Sequence, residues 1–144
     1  MANADTNAII NAYLQAQTAL TDIVGTGIYC PRLPEGADLP AVSYFTRGGL
    51  SNPHIPGMPS VSVQFDCWAE QIGTVSGTIG ARAVYNALQF VLQGIQNQKV
   101  TIDGSDYYIK LCVEEVSGQD LVDQQIITYF KVMAFYSFLI AAIT

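Results

Sequence analysis

Between Gln125 and Phe138 the chain holds a run of β-formers that is apolar on both faces. Ile126, Phe130, Val132, Ala134, Tyr136 and Phe138 alternate with Ile127, Tyr129, Met133 and Phe135. Successive side chains of a strand point to opposite faces, so a strand of this composition needs cover on both sides. It fits a central strand, or a strand whose outer face meets another subunit.

The rest of the chain shares this shortage of polar surface. With 144 residues it suits one domain, and a domain of that size buries about 68–70% of its unfolded surface without needing disulfides. Only 12% of its residues are charged and 50% are hydrophobic, against roughly 25% charged in an average soluble domain. Large faces are therefore expected to be buried against partner chains. The net charge of −6 argues against a grip on nucleic acid, and the six basic residues, Arg32, Arg47, Arg82, Lys99, Lys110 and Lys131, are scattered singly, so no cationic stripe forms.

Cys30, Cys67 and Cys112 are odd in number, far apart and without CxxC spacing, which matches neither a disulfide framework nor a zinc site; reduced, buried thiols are expected. No signal peptide is read in residues 1–20, where Asp5 replaces a basic leader, so folding in a reducing cytoplasm is expected. The apolar run from Val132 to Ile143 is too short for a bilayer span of about 18–20 residues and is bounded by Lys131. It reads as a buried strand continuing into a hydrophobic tail, residues 139–144.

Asp5 or Thr6 can cap a first helix whose Ile9, Ile10, Tyr13, Leu14 and Leu20 recur at helical spacing to an end near Val24, where Gly25 and Gly27 turn the chain. Ile28 to Cys30 suits a short strand, followed by a proline-bounded loop to Pro40. Ala41 to Arg47 and Val61 to Ala69 alternate as strands, the second with Val63, Phe65 and Cys67 on one side and Gln64, Asp66 and Trp68 on the other. Between them, residues 51–60 form a proline-rich loop.

Thr74 or Ser76 can cap a second helix with an apolar stripe of Ile79, Ala83, Val84, Ala87, Leu88, Val91, Leu92 and Ile95. The turn Asp103-Gly104-Ser105-Asp106 joins strands at Lys99 to Asp103 and Tyr107 to Val116, and Ser117 to Asp123 makes a polar turn before the long apolar strand. The expected fold is a single α+β domain, residues 1–144, with a mainly antiparallel sheet and two helices packed on one face.

No catalytic, cofactor-binding or metal-ligating residues emerge. His54 is alone in its loop without Cys, Asp or Glu nearby. Asp66 and Glu70 sit loosely together at a strand end and read as surface charges, and Glu114 and Glu115 point to opposite faces. Gly73, Gly77 and Gly80 lack the spacing of a phosphate cradle, and no GxSxG elbow exists. Tyr107, Tyr108, Tyr129, Phe130, Phe135 and Tyr136 have no interleaved cations and read as core and interface rather than a base-stacking surface. The chain is expected not to be an enzyme.

The order and spacing of these elements resemble the tail terminator or tail-completion proteins of long-tailed bacteriophages. The matching pieces are Ala19-Leu20-Thr21-Asp22-Ile23-Val24-Gly25 with Ile28-Tyr29, then Leu39-Pro40-Ala41-Val42-Ser43-Tyr44, the strand Val61 to Trp68 leading into the helix Ala81 to Leu92, and the hairpin before the last strand. Together they cover the chain from about Ile9 to Phe138, and what matches is order and spacing rather than reactive residues.

The resemblance implies a virion subunit of the tail neck, assembled in the host cytoplasm. It would form a homo-oligomeric ring, usually a hexamer, that stops tube polymerisation at the head-proximal end. Its partners would be itself, the tail tube protein and the head-tail connector. No cofactor, no membrane and no sequence-specific nucleic acid binding is implied, though DNA would pass through such a ring. Two departures stand out, the proline-rich loop and the apolar tail. Asn52, His54, the Ile55-Pro56 step and Met58 of the loop, with Phe135, Phe138, Leu139 and Ile140 of the last strand and tail, are the candidate interface residues. The rival readings are another neck or tail structural protein (head-completion, stopper or tube subunit), a small-molecule-binding or enzymatic α+β domain with a pocket lined by Asp66, Trp68 and the tyrosines, and an acidic DNA mimic.

Overall fold

The computed structural model describes residues 5–50, 60–71, 76–122 and 128–141. The chain runs α1 (Thr6–Gln15), α2 (Thr18–Val24), β1 (Ile28–Tyr29), β2 (Ala41–Leu50), β3 (Ser60–Glu70), α3 (Gly77–Leu92), β4 (Gln96–Ile102), β5 (Ser105–Val122) and β6 (Tyr129–Ala141). The strands form one sheet in the order β1-β2-β3-β6-β5-β4. From Tyr129 onward the two-sided apolar run thus becomes β6, at the centre of the sheet between β3 and β5, while its first residues, 125–127, lie outside the described residues.

On the inner face of β6, Val132, Ala134, Tyr136, Phe138 and Ile140 are fully buried. They join Val63, Phe65 and Cys67 of β3 and Val42 and Tyr44 of β2 in the core. The Phe65 ring holds this layer together, stacked on Tyr44 at 5.5 Å, edge-on to Tyr136 at 5.5 Å and tilted against Phe138 at 6.2 Å, within the range where aromatic pairs attract beyond their area burial.

The expected mainly antiparallel sheet with two helices on one face is overturned. The sheet is mixed and curled into a half-barrel, and the described residues hold three helices. Its parallel pair is β1 with β2, in register Ile28↔Val42 and Tyr29↔Ser43; residues 30–40 bring the chain back so that β2 runs the same way as β1. A two-residue strand has no periodicity to reveal its direction. The curl brings both sheet margins to α1, which touches β4 on one side and β1 and β2 on the other, while α3 lies along β3 and β6.

The expected single first helix is two. Asp5 caps α1 as anticipated, accepting from the Asn7 and Ala8 amides, but Gln17 adopts an extended conformation between α1 and α2 (φ −94°, ψ 103°). No residue there forbids helix; the break lets α2 pack on α3, a tertiary preference that outweighs local propensity.

Three further expectations change. The stripe of α3 is rotated: Gly77, Ala81, Val84, Tyr85, Leu88, Val91 and Leu92 are buried, while Ile79 is 73% exposed and Ala83 is exposed too. The predicted polar turn Ser117 to Asp123 is strand as far as Val122, because register shifts at Glu114/Val116 and Val116/Gln119 absorb its irregularity. And residues 139–141 of the predicted tail belong to β6, paired as Leu111↔Leu139, Ile109↔Ile140 and Tyr108↔Ala141. The Asp103–Gly104 hairpin forms as expected, both residues at positive φ (51° and 81°), the geometry of a two-residue type I′ turn.

Candidate interaction surface

Among the described residues the densest polar cluster lies where α3 crosses β5. Glu114 Oε2 accepts from the Tyr85 hydroxyl in a short contact and from the Tyr136 hydroxyl at 3.1 Å; Oε1 accepts from Ser117 at 3.2 Å and Gln89 at 3.4 Å. The Gly118 amide donates to the Tyr85 oxygen at 3.1 Å, and Arg82 donates to the Gly118 carbonyl at 3.2 Å and to Asp120 at 2.8 Å. Burial, and next the hydrogen bond it donates to Glu114, push the Tyr85 hydroxyl up from its ordinary pKa, so it stays a neutral donor. The Glu114 carboxylate thus takes donors from α3, β5 and β6 on its two oxygens, which makes it the acceptor at the centre of the cluster. The cluster is a clasp that ties α3 to the bulged strand and supplies partners to Gly118, on a stretch of strand edge that β4 does not reach.

A second polar group sits on the outer face of β3. Asp66, predicted as a surface charge, is buried (8% exposed) beside Lys131, 3.8 Å away. Burial raises its pKa, opposed by Lys131 and by the Gln64 hydrogen bond. Trp68 next to it donates to the Ser43 hydroxyl at 2.9 Å and lies beneath the Lys131 ammonium. The expected opposition of Glu114 and Glu115 holds: Glu115 accepts from Ser62 on the outer side at 2.7 Å.

Cys67 and Cys112 are buried, and burial pushes both thiols up, away from the nucleophilic thiolate; Cys30, expected buried, is exposed. Among the described residues no group of three or more His, Cys, Asp or Glu could hold a metal ion, and no helix is long and apolar enough to cross a membrane. An open depression at the end of α2 is lined by Asp22, Gly25, Tyr29, Asp38 and Pro40 among others, with no basic group or paired nucleophile in its wall.

What the described surface does offer is apolar. On the outer face of the sheet Leu111, Val113 and Val116 of β5 are 37%, 40% and 48% exposed, and their partners across the ladder are Leu139, Ser137 and Phe135 of β6. Met133 and Phe135 are half-buried there, with the Arg47 guanidinium 4.4 Å over the Phe135 ring. On the far side of the molecule α3 turns Ile79, Ala83, Asn86 and Phe90 outward in one row, Phe90 at 80% exposure.

Of the candidate interface residues, Phe135 and Leu139 therefore lie on the outer face. Phe138 and Ile140 point the other way and are fully buried in the core, since alternation along β6 allows only every second residue outward. Asn52, His54, Ile55, Pro56 and Met58 lie outside the described residues. Sequence reasoning missed Leu111, Val113, Val116 and Phe90 as surface residues and assigned Ile79 to the core. The available signal was that Ile79, Ala83 and Phe90 fall on one helical row that excludes Leu88 and Leu92.

No protein-family model and no curated protein matches the chain. Among solved structures, a chain from the virion of a native gene transfer agent (GTA) particle matches with a TM-score of 0.68, covering 94% of this chain and 94% of that chain at 13% sequence identity. The two chains share a fold over nearly their whole lengths.

Proposed function

We propose that this chain is a structural protein of a phage-type virion, and specifically a tail terminator. A ring of its copies seats one face on the last ring of the tail tube, stops further growth and offers the other face to the head connector. The observation that carries the reading is the fold shared with a GTA virion chain across 94% of both lengths. The order of elements that resembles tail terminators agrees with it, and so does a surface whose salient features are apolar faces rather than a reactive constellation. The work is geometric: the chain catalyses nothing, binds no cofactor, and lets DNA pass without gripping it, as befits a net charge of −6.

The test is a phage assembled without the protein. Tails of uncontrolled length are expected by electron microscopy. Tails of normal length that fail to join heads would move the chain to a stopper or head-completion role, and normal virions would overturn a structural role altogether.

A further inference from the structure

The described surface carries two uncovered apolar faces, and they look in opposite directions. The buried side of α3 packs on β3 and β6 through Ala81, Val84 and Leu88. The row of Ile79 and Phe90 must then point away from the sheet, while Leu111, Val113 and Val116 look out from its other side. We propose that these faces are the two halves of one interface, with the α3 row of each copy seated on the outer β5–β6 face of the next. This rests on the reading of the chain as a ring-forming virion protein and names the surfaces by which its copies meet.

A second copy is the occupant that covers both open faces with one kind of contact, and charge permits it. Each chain carries a net −6, so copies repel unless they meet through faces free of that excess. Ile79, Ala83, Asn86 and Phe90 have no charge among them. On the sheet side the named charges balance, Arg47 and Lys131 against Asp66 and Glu115, with Arg47 over Phe135, Asp66 beside Lys131 and Glu115 accepting from Ser62. A nucleic acid would find no cluster of cations on either face, and a strongly charged protein no array of counter-charges. Apolar faces without net charge on one molecule suit each other. Because they lie on opposite sides, the contact is head-to-tail and continues from copy to copy until it closes into a ring or runs on as a filament.

The experiment uses Phe90→Asp, which spoils only the helix row, and Val113→Asp, which spoils only the sheet strip. Both sites are exposed, and circular dichroism checks that each variant folds; Ile79→Asp and Val116→Asp are the second pair. By sedimentation velocity the wild type is expected to assemble beyond a dimer, and each variant alone to be monomeric. An equimolar mixture of F90D and V113D is expected to stop at a two-chain species, since one intact pair of faces remains. Variants that assemble like the wild type would overturn the interface and leave the virion reading standing. A V113D variant that is monomeric while F90D still dimerises would replace it with a sheet-to-sheet contact, and a wild type that stays monomeric at high concentration would also sink it. The virion reading has its own readout, tail length in the phage.

Discussion

A methyl group added at Gly77 would run into the edge of the Phe130 ring, and one added at Gly118 would lie 2.6 Å from Val132 Cγ1 and 2.9 Å from Tyr85 Cζ. In a helix interior Ala is better than Gly by about 1 kcal/mol, but Gly77 opens α3, where that gain is smaller, and overpacking costs about 1–3 kcal/mol. Gly77→Ala and Gly118→Ala are both expected to lower the urea midpoint, and a stabilised variant would contradict the close packing. Asp66 gives a residue-scale prediction in pH. Its folded pKa is raised above the ordinary 3.8, so just above pH 3.8 the folded state holds a proton that the unfolded state has released. Its contribution to stability therefore falls as pH rises through that window and is fully lost above the folded value. Measured against Asp66→Asn, the wild type should lose relative stability as pH rises above 3.8 through the folded value; a constant difference would show that Asp66 does not titrate in this way. The sequence showed Asp66 on the polar side of β3, and its burial arises from the strands on either side, Ser43 of β2 and Met133 and Lys131 of β6.

At the scale of elements, the sheet has open margins and the chain blunts them. Edge strand β4 carries Asn97 at φ 51° and an exposed Lys99, both of which discourage a foreign strand from adding on. Beyond Cys112, β5 has no β4 partner; there it bulges twice, and Gly118 finds its partners in Tyr85 and Arg82 of α3. Tyr85→Phe would remove both the donor to Glu114 and the acceptor for the Gly118 amide. An expected loss of about 1–3 kcal/mol in urea unfolding follows from the groups left without partners, and a neutral result would mean that the clasp does not hold α3. Strong periodicity made β2, β3, α3, the β4–β5 hairpin and β6 legible. What stayed hidden were features that local pattern does not encode: the parallel direction of a two-residue β1, the break at Gln17 and the strand hidden in a polar stretch after Ser117. The rotation of α3 escaped because Ile79 and Leu88 are equally apolar although they lie on opposite sides of the helix, and the buried side is the one that carries Gly77, Ala81, Val84 and Leu88.

For the whole molecule, the two-sided pattern of β6 carried more than either of its readings alone. The strand is central, and its outer face is still left partly open by the chain itself, with Met133, Phe135 and Leu139 half-buried. The candidate surface was legible in Phe135 and Leu139; its β5 half and the α3 row were not, because only the three-dimensional sheet sets Leu111 and Val113 beside β6. Joining these faces between copies makes a definite prediction about salt. Each chain brings −6 of charge to the encounter, but the proposed contact uses little of it. Salt screens repulsion between the acidic bodies over a Debye length of about 10 Å at 0.1 M while leaving apolar burial intact. Raising salt from low ionic strength to about 0.5 M should therefore tighten self-association several-fold in sedimentation equilibrium. An interface built on ion pairs would loosen instead, and that result would require the copies to meet elsewhere, through the acidic margins rather than through α3 and β5.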